Sequence, residues 1–204
     1  ALYDRLQRDG RDAPWFADKN AAAAETWVPE FLVPSYPQET WRGTRPAAAG
    51  RILGATNYVG LAGRGRDAAR YDPANPEYAK RVGMTGYDWG SKREQVTDGL
   101  SNTAWLIQAP PGVPRPWIAG GGTTVVGVDD TAADPLREFV SIGPDGRRGT
   151  HVLMADGSVR FLKEGTAPGV FKALVTRAGG EALKDLDQDA PEVAPTGRGQ
   201  AEPK

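Results

Sequence analysis

The chain offers few groups that could react. It has no cysteine and a single histidine, His151, so a thiolate nucleophile, a disulfide, a cysteine zinc site and a multi-histidine zinc site are all excluded. A Ser-His-Asp triad would have to recruit His151 with Ser141 or Ser158 and an aspartate. No G-x-S-x-G nucleophile elbow occurs, and His151 sits inside an apolar run where a strand is expected. Two carboxylates flanking a sugar bond could meet in space from anywhere in the chain, but no spacing points to such a pair. The residues therefore read as non-catalytic, with no cofactor site.

The acidic residues are the other chemical resource. Asp129, Asp130 and Asp134 lie in "GVDDTAADP", with Asp145 and Asp156 further on, and they are weak candidates for Ca²⁺, which takes six to eight oxygens. No EF-hand spacing links them. Asp156 also has a plainer role in "MADGSVRFL", where Asp156-Gly157 between two apolar runs predicts a two-residue hairpin loop. That register pairs Met154 with Val159 and Val152 with Phe161. It gives one apolar face of Val152, Met154, Val159 and Phe161 and a mixed face that holds His151, Leu153, Arg160 and Leu162. Asp98-Gly99 in "VTDGLSNT" reads as a second turn of the same kind. Gly63-Arg64-Gly65 is not completed to a phosphate-binding motif. Trp89, Trp117, Tyr71 and Tyr87 lie in Gly/Pro-rich loops, where aromatic rings either stack on a glycan or small solute or fill a core.

These residues must be positioned by a loop-rich domain. Of 204 residues, 26 are glycine and 17 proline, and 25 basic residues balance 26 acidic ones, which gives no electrostatic case for nucleic acid. No run of about 18 apolar residues is present. Helices are expected over 1–9, ended by Gly10, from an Asp18 cap to before Pro29, and from Pro168 to Gly179-Gly180 with Val170, Phe171, Leu174 and Ala178 as the apolar stripe. Residues 30–37 read as extended ahead of Pro34 and Pro37, and 38–51 as a polar loop. Strands are expected at 55–63, 103–108, within 117–128, at 138–142 and in the 151–162 hairpin. Without a β-α-β rhythm the pattern is α+β, an antiparallel sheet with Gly/Pro-rich loops packed against helices. Residues 1–186 form one domain, and 187–204 read as a flexible or partner-bound tail.

Taken in order, "ALYDRL", "PWFADKNAAAAETWVPEFLVPS", "ATNYVGLAG", "VTDGLSNT", "HVLMADGSVRFL" and "FKALVTRAGGE" resemble the landmarks of a bacterial family of unknown function. Its members begin with a type IV prepilin-like leader and helix and end with His, nine residues, then Asp-Gly. Gly146 occupies the signature histidine's position, with His151 five residues on, and Gln108-Ala109 occupies the place where the family carries an acid after its "SNT". The resemblance implies a pseudopilin-like head, extracytoplasmic in the periplasm or at the cell surface. A hydrophobic anchor helix ahead of Ala1 would tie it to the membrane, and its partners would be copies of itself or other subunits of a filament or membrane-associated complex. The expected function is thus a non-enzymatic structural or assembly subunit; the alternative is a glycan- or small-solute-binding module at the cell surface.

Overall fold

A computed structural model describes residues 2–6, 14–43, 50–113, 115–183 and 185–194. Ala1 and residues 7–10 of the expected first helix, 44–49 of the polar loop and 195–204 of the expected tail lie outside the described residues. The architecture is α+β with few helices. The main sheet is built from β3 (Tyr58–Arg64), β4 (Ala104–Gln108), β6 (Val125–Val128), β7 (Ser141–Ile142), β8 (Arg148–Met154) and β9 (Val159–Lys163). β6 lies at one edge, followed by β3, β4 and β8. β9 takes the far side of β8, and β7 pairs with the beginning of β8. All of these pairings are antiparallel except β3 with β6, which is parallel. That pair departs from the purely antiparallel expectation. Residues 65–124 separate its strands, ample for the crossover a parallel pair needs.

A smaller antiparallel sheet joins β1 (Arg42–Gly43), β2 (Leu53–Thr56) and β5 (Arg115–Pro116). Ala24 and Leu53 form its buried centre, against Trp15 and Ile118. The main core lies between the large sheet and α3 (Pro168–Leu174), where Val59, Leu61, Ile107, Val152, Met154 and Leu162 meet Phe139, Phe171 and Leu174. Phe139 and Phe171 pack edge to face at 5.9 Å. Segment 81–85 closes tightly on β3: the Gly83 amide donates to Ala62 O at 2.7 Å and Arg64 N to Arg81 O at 2.8 Å. Gly63, at φ +119°, makes this approach feasible, because a Cβ there would strike the Arg81 carbonyl.

The helices expected from Asp18 and from Pro168 are longer than the observed ones. Among the described residues near the N-terminus, α-helix is found at α1 (Leu2–Arg5) and α2 (Ala21–Ala24). Asp18 caps nothing; its carboxylate pairs with Arg51, and a 3-10 turn, Asp18–Asn20, precedes α2. Another 3-10 turn, Pro29–Phe31, opens the segment expected to be extended, and a third, Arg137–Phe139, takes the first part of the strand expected at 138–142. α3 stops at Leu174, short of Ala178. The chain beyond it is captured by tertiary bonds: Arg177 N donates to Val82 O at 3.1 Å and Asp98 N to Arg177 O at 3.2 Å. Residues 187–194, expected in the tail, stay on the domain. α4 (Leu186–Asp189) buries Leu186, Ala190 is fully buried, and Phe161 N and Val193 N bond to Pro191 O and Val159 O at 3.1 and 2.8 Å. These bonds cover the outer edge of β9, which would otherwise be unpaired.

The hairpin departs from the expected register by one residue. Gly157 N donates to Met154 O at 3.0 Å and Met154 N to Ser158 O at 2.8 Å, so the loop is Ala155-Asp156-Gly157, with Gly157 at φ +92°. This three-residue form ends in a left-handed glycine. Leu153 pairs with Val159, Val152 with Arg160 and His151 with Phe161. Because side chains alternate strictly, the shift exchanges the faces of β9. Val152, Met154 and Leu162 go to the core; His151, Leu153, Val159 and Phe161 go to the opposite face. Arg160, on the core side, is buried, and its Nη1 donates to the Asp187 carboxylate at 2.7 Å and to Ala190 O at 2.8 Å.

Candidate functional site: a cleft over the outer face of the sheet

The face that receives His151 and Phe161 forms the floor of a cleft of about 490 Å³. Leu106, Leu153, Val159 and Phe161 supply the apolar floor, and Val33 and Tyr36 an opposing wall. That wall is held in place by Asn57 of "ATNYVG", which is buried between β2 and β3. Its side-chain oxygen accepts from Val33 N at 2.9 Å, while its backbone N donates to Phe31 O at 2.8 Å and its carbonyl accepts from Ala109 N at 2.7 Å. Asn57 thereby ties the 29–36 segment to the strand ends.

A directed chain of hydrogen bonds crosses the base of the cleft. Ser141 Oγ donates to Gly149 O at 3.4 Å, so it accepts from the Tyr36 hydroxyl at 3.0 Å. Tyr36 in turn accepts from Gln108 Nε2 at 2.6 Å, which leaves Gln108 Oε1 facing His151 Nδ1 at 2.9 Å. An amide oxygen only accepts, so the network assigns the His151 proton to Nδ1. Gln108 and Tyr36 are buried, and the Gln108 backbone carbonyl accepts from Thr150 Oγ1 at 2.8 Å. Burial holds His151 below the usual imidazole pKa, Arg147 adds to this, and Asp145 opposes it. Burial also raises the Tyr58 phenol, with a further push from Tyr36. Burial thus favours the uncharged forms of the His151 imidazole and the Tyr58 phenol. The imidazole is oriented by a carboxamide, not by the carboxylate that a catalytic triad uses.

The residues singled out in the sequence serve elsewhere. Asp156 accepts from Ser158 N at 2.9 Å and Ser158 Oγ at 2.7 Å; burial works to raise its pKa, but these bonds outweigh it and the net shift is downward. Asp98 binds Gly179 N and Gly180 N at 2.7 and 3.0 Å, and Gly99 takes φ +95° beside it. Asp129 is held below the usual carboxylate range by the Thr131 hydroxyl and amide and by Arg66. Asp130 pairs with Arg81 at 3.2 Å, Asp134 accepts from Leu136 N at 3.2 Å, and Asp145 accepts from Arg147 N at 3.0 Å and is lowered by it. Among the described residues no three acidic or histidine side chains gather where a metal ion could sit.

The four aromatics form no common platform. Tyr71 stacks on Tyr78 at 4.1 Å, and Trp117 Nε1 donates to Thr26 O at 3.0 Å in the small sheet's lobe. Trp89 has its Nε1 buried, with Arg177 5.9 Å from the ring centroid, and Tyr87 is 39% exposed. None of them lines the cleft. Tyr36 and Asn57 are the residues that sequence reasoning missed, and Gln108 was noted there only for standing where the family carries an acid. The one available signal was Gln108, a polar side chain at the end of an otherwise apolar strand.

No curated protein and no solved structure matches the chain. The model of the family described as protein of unknown function (DUF1559) matches residues 1–112, more than half of the sequence, and the chain belongs to that family.

Proposed function

We propose that the domain is a non-enzymatic binding module that holds a small, mainly apolar solute in the cleft over the sheet. The observation that carries this reading is the cleft itself, about 490 Å³ with an apolar floor and a polar chain across its base. Ligand sites are commonly concave, 300–1,000 Å³ in size, and apolar apart from a few placed polar groups. The floor of aliphatic side chains and one phenylalanine suits a hydrocarbon surface better than a glycan, whose hydroxyls would need many more partners. An extracytoplasmic location, at the cell surface or in the periplasm, is part of the proposal and rests on the order of sequence motifs.

A second reading, a pseudopilin-like head that assembles with itself or partner subunits, draws on another observation. Phe16, Trp27, Phe31 and Ile52, all within the first 52 residues, are 41, 37, 40 and 53% exposed. Aromatic side chains are enriched in contact surfaces. The two readings are compatible, since none of these four side chains lines the cleft.

The test is a fragment screen by ¹H-¹⁵N NMR on the wild-type chain and on Leu153→Trp, which fills the cleft. Binders should shift the amides of Leu106, His151, Leu153 and Phe161, and Leu153→Trp should lose them. Shifts spread over unrelated surfaces, or unchanged in Leu153→Trp, would refute the reading.

A further inference from the structure

The hydrogen-bond chain has a polarity, and that polarity selects the ligand. The donors along the base run in one direction: the Ser141 hydroxyl to Gly149 O, the Tyr36 hydroxyl to Ser141, and one N–H of the Gln108 amide to Tyr36. With His151 Nδ1–H committed to Gln108 Oε1 at 2.9 Å, the other ring nitrogen, Nε2, carries a lone pair and has no partner among the described residues. The one acidic side chain lining the cleft, Glu30, is exposed at its rim, and no lysine or arginine lines it. Arg147, whose guanidinium lies 4.9 Å from the Phe161 ring centroid, is paired with Asp145. Beside the His151 acceptor the lining carries the Ser35 and Tyr58 hydroxyls, and among the described residues it holds no unpaired cation that would take a carboxylate or phosphate. The Leu153, Val159 and Phe161 side chains beside His151 give the remainder of such a ligand an apolar bed.

We propose that the cleft selects an apolar molecule bearing one hydroxyl group, with the hydroxyl donating to His151 Nε2 and the hydrocarbon part lying on Leu153, Val159 and Phe161. This rests on the binding-module reading and specifies its ligand class. A neutral hydroxyl completes the chain at its His151 end. An anion would place negative charge near Glu30, and the cation beside the floor, Arg147, is already paired with Asp145.

The test uses 4-propylphenol, its methyl ether 4-propylanisole, and 4-propylbenzoate, titrated into the full chain at pH 7.5 by calorimetry and NMR. The phenol is expected to bind about fivefold more tightly than the ether, the range a single net hydrogen bond supplies, and the benzoate more weakly than either. His151→Phe should erase the phenol-to-ether ratio while both still bind. If that variant does not fold, ¹⁵N chemical shifts of the one histidine in the wild type give the same answer: Nε2 must be the unprotonated nitrogen. Equal binding of phenol and ether, a preference for benzoate, a ratio that survives His151→Phe, or a protonated Nε2 would each overturn the hydroxyl selectivity while leaving an apolar cleft in place. If none of the three probes binds, this proposal and the solute-binding reading fall together.

Discussion

Replacing Gln108 with glutamate puts a carboxylate where the carboxamide now bridges His151 and Tyr36, at 2.9 and 2.6 Å. The bond from Thr150 Oγ1 to the residue 108 carbonyl is unchanged, but glutamate lacks the N–H that Gln108 donates to Tyr36, so the Tyr36 hydroxyl must turn from Ser141 to donate to the new carboxylate. In the wild type, burial and Arg147 keep His151 below its ordinary pKa. The new carboxylate would attract the imidazolium by about 4 kcal/mol at a charge separation of about 4 Å and an effective dielectric near 20. Desolvation of the glutamate at this buried position offsets part of that gain. An opposite charge at such range moves a pKa by about 1–3 units, so His151 should titrate about 1–3 pH units higher in Gln108→Glu than in the wild type. The chain has one histidine, and a pH series of its imidazole resonances reads this directly. The linkage also reverses sign. A depressed histidine costs the wild type stability as pH falls through the window below the ordinary value. A raised one gives the variant stability that is present at low pH and lost as pH climbs through the new value. An unchanged His151 midpoint in Gln108→Glu would refute the assigned contact and with it the directed chain.

Other expected outcomes concern the frame around the cleft. In the wild type, chemical denaturation should show stability falling as pH drops from about 6.5, the unfolded imidazole value, because burial and Arg147 lower the folded one. Phe171→Ala, at a fully buried position against Phe139, should cost about 3–5 kcal/mol by the same measurement. Gly63→Ala should unfold the chain or lower Tm sharply, since a Cβ there meets the Arg81 carbonyl in a left-handed backbone; a wild-type Tm would contradict the close approach of segment 81–85. Because the candidate aspartates bind backbone amides, hydroxyls or arginines, EDTA should leave Tm unchanged, and a fall would reveal a metal.

The α+β class was legible because the local signals behind it are strong: a continuous apolar run at Ala104–Ile107, apolar segments on both sides of Asp156-Gly157, and a proline-started apolar helix at Pro168. What could not be read depends on contacts between distant segments. Helix α3 ends early because Val82 and Asp98, far away in the chain, take the backbone of Arg177. Residues 187–194 look too polar to stay ordered, yet Leu186 and Ala190 reach the core and Asp187 neutralises the buried Arg160. The cleft was illegible for the same reason. Tyr36, Gln108, Ser141 and His151 are separated by up to 115 positions in sequence, and no spacing rule joins them.

The hairpin loop shows how much follows from one residue. An Asp-Gly pair favours a two-residue loop, but the observed turn also takes in Ala155, and that single extra residue sends Phe161 and Val159 to the cleft and Arg160 and Leu162 to the core side. The core accepts this choice because Asp187 and Ala190 O bond Arg160, and Leu162 fills space in front of the sheet. Gly157 has open space around a Cβ and φ +92°, so Gly157→Ala isolates the backbone penalty, about 1–2 kcal/mol, and Gly157→Asn should cost less because asparagine tolerates the left-handed region. Deleting Ala155 is the sharper experiment. It leaves Asp156-Gly157 as a two-residue loop between Met154 and Ser158, so Leu153 still faces Val159 and Val152 still faces Arg160. The favoured Asp-Gly turn then joins the observed pairing, Arg160 keeps Asp187, and stability should stay near that of the wild type. A loss of several kcal/mol, the scale of leaving a buried charge unpaired, would mean that the three-residue loop itself is needed to hold β9 in this register.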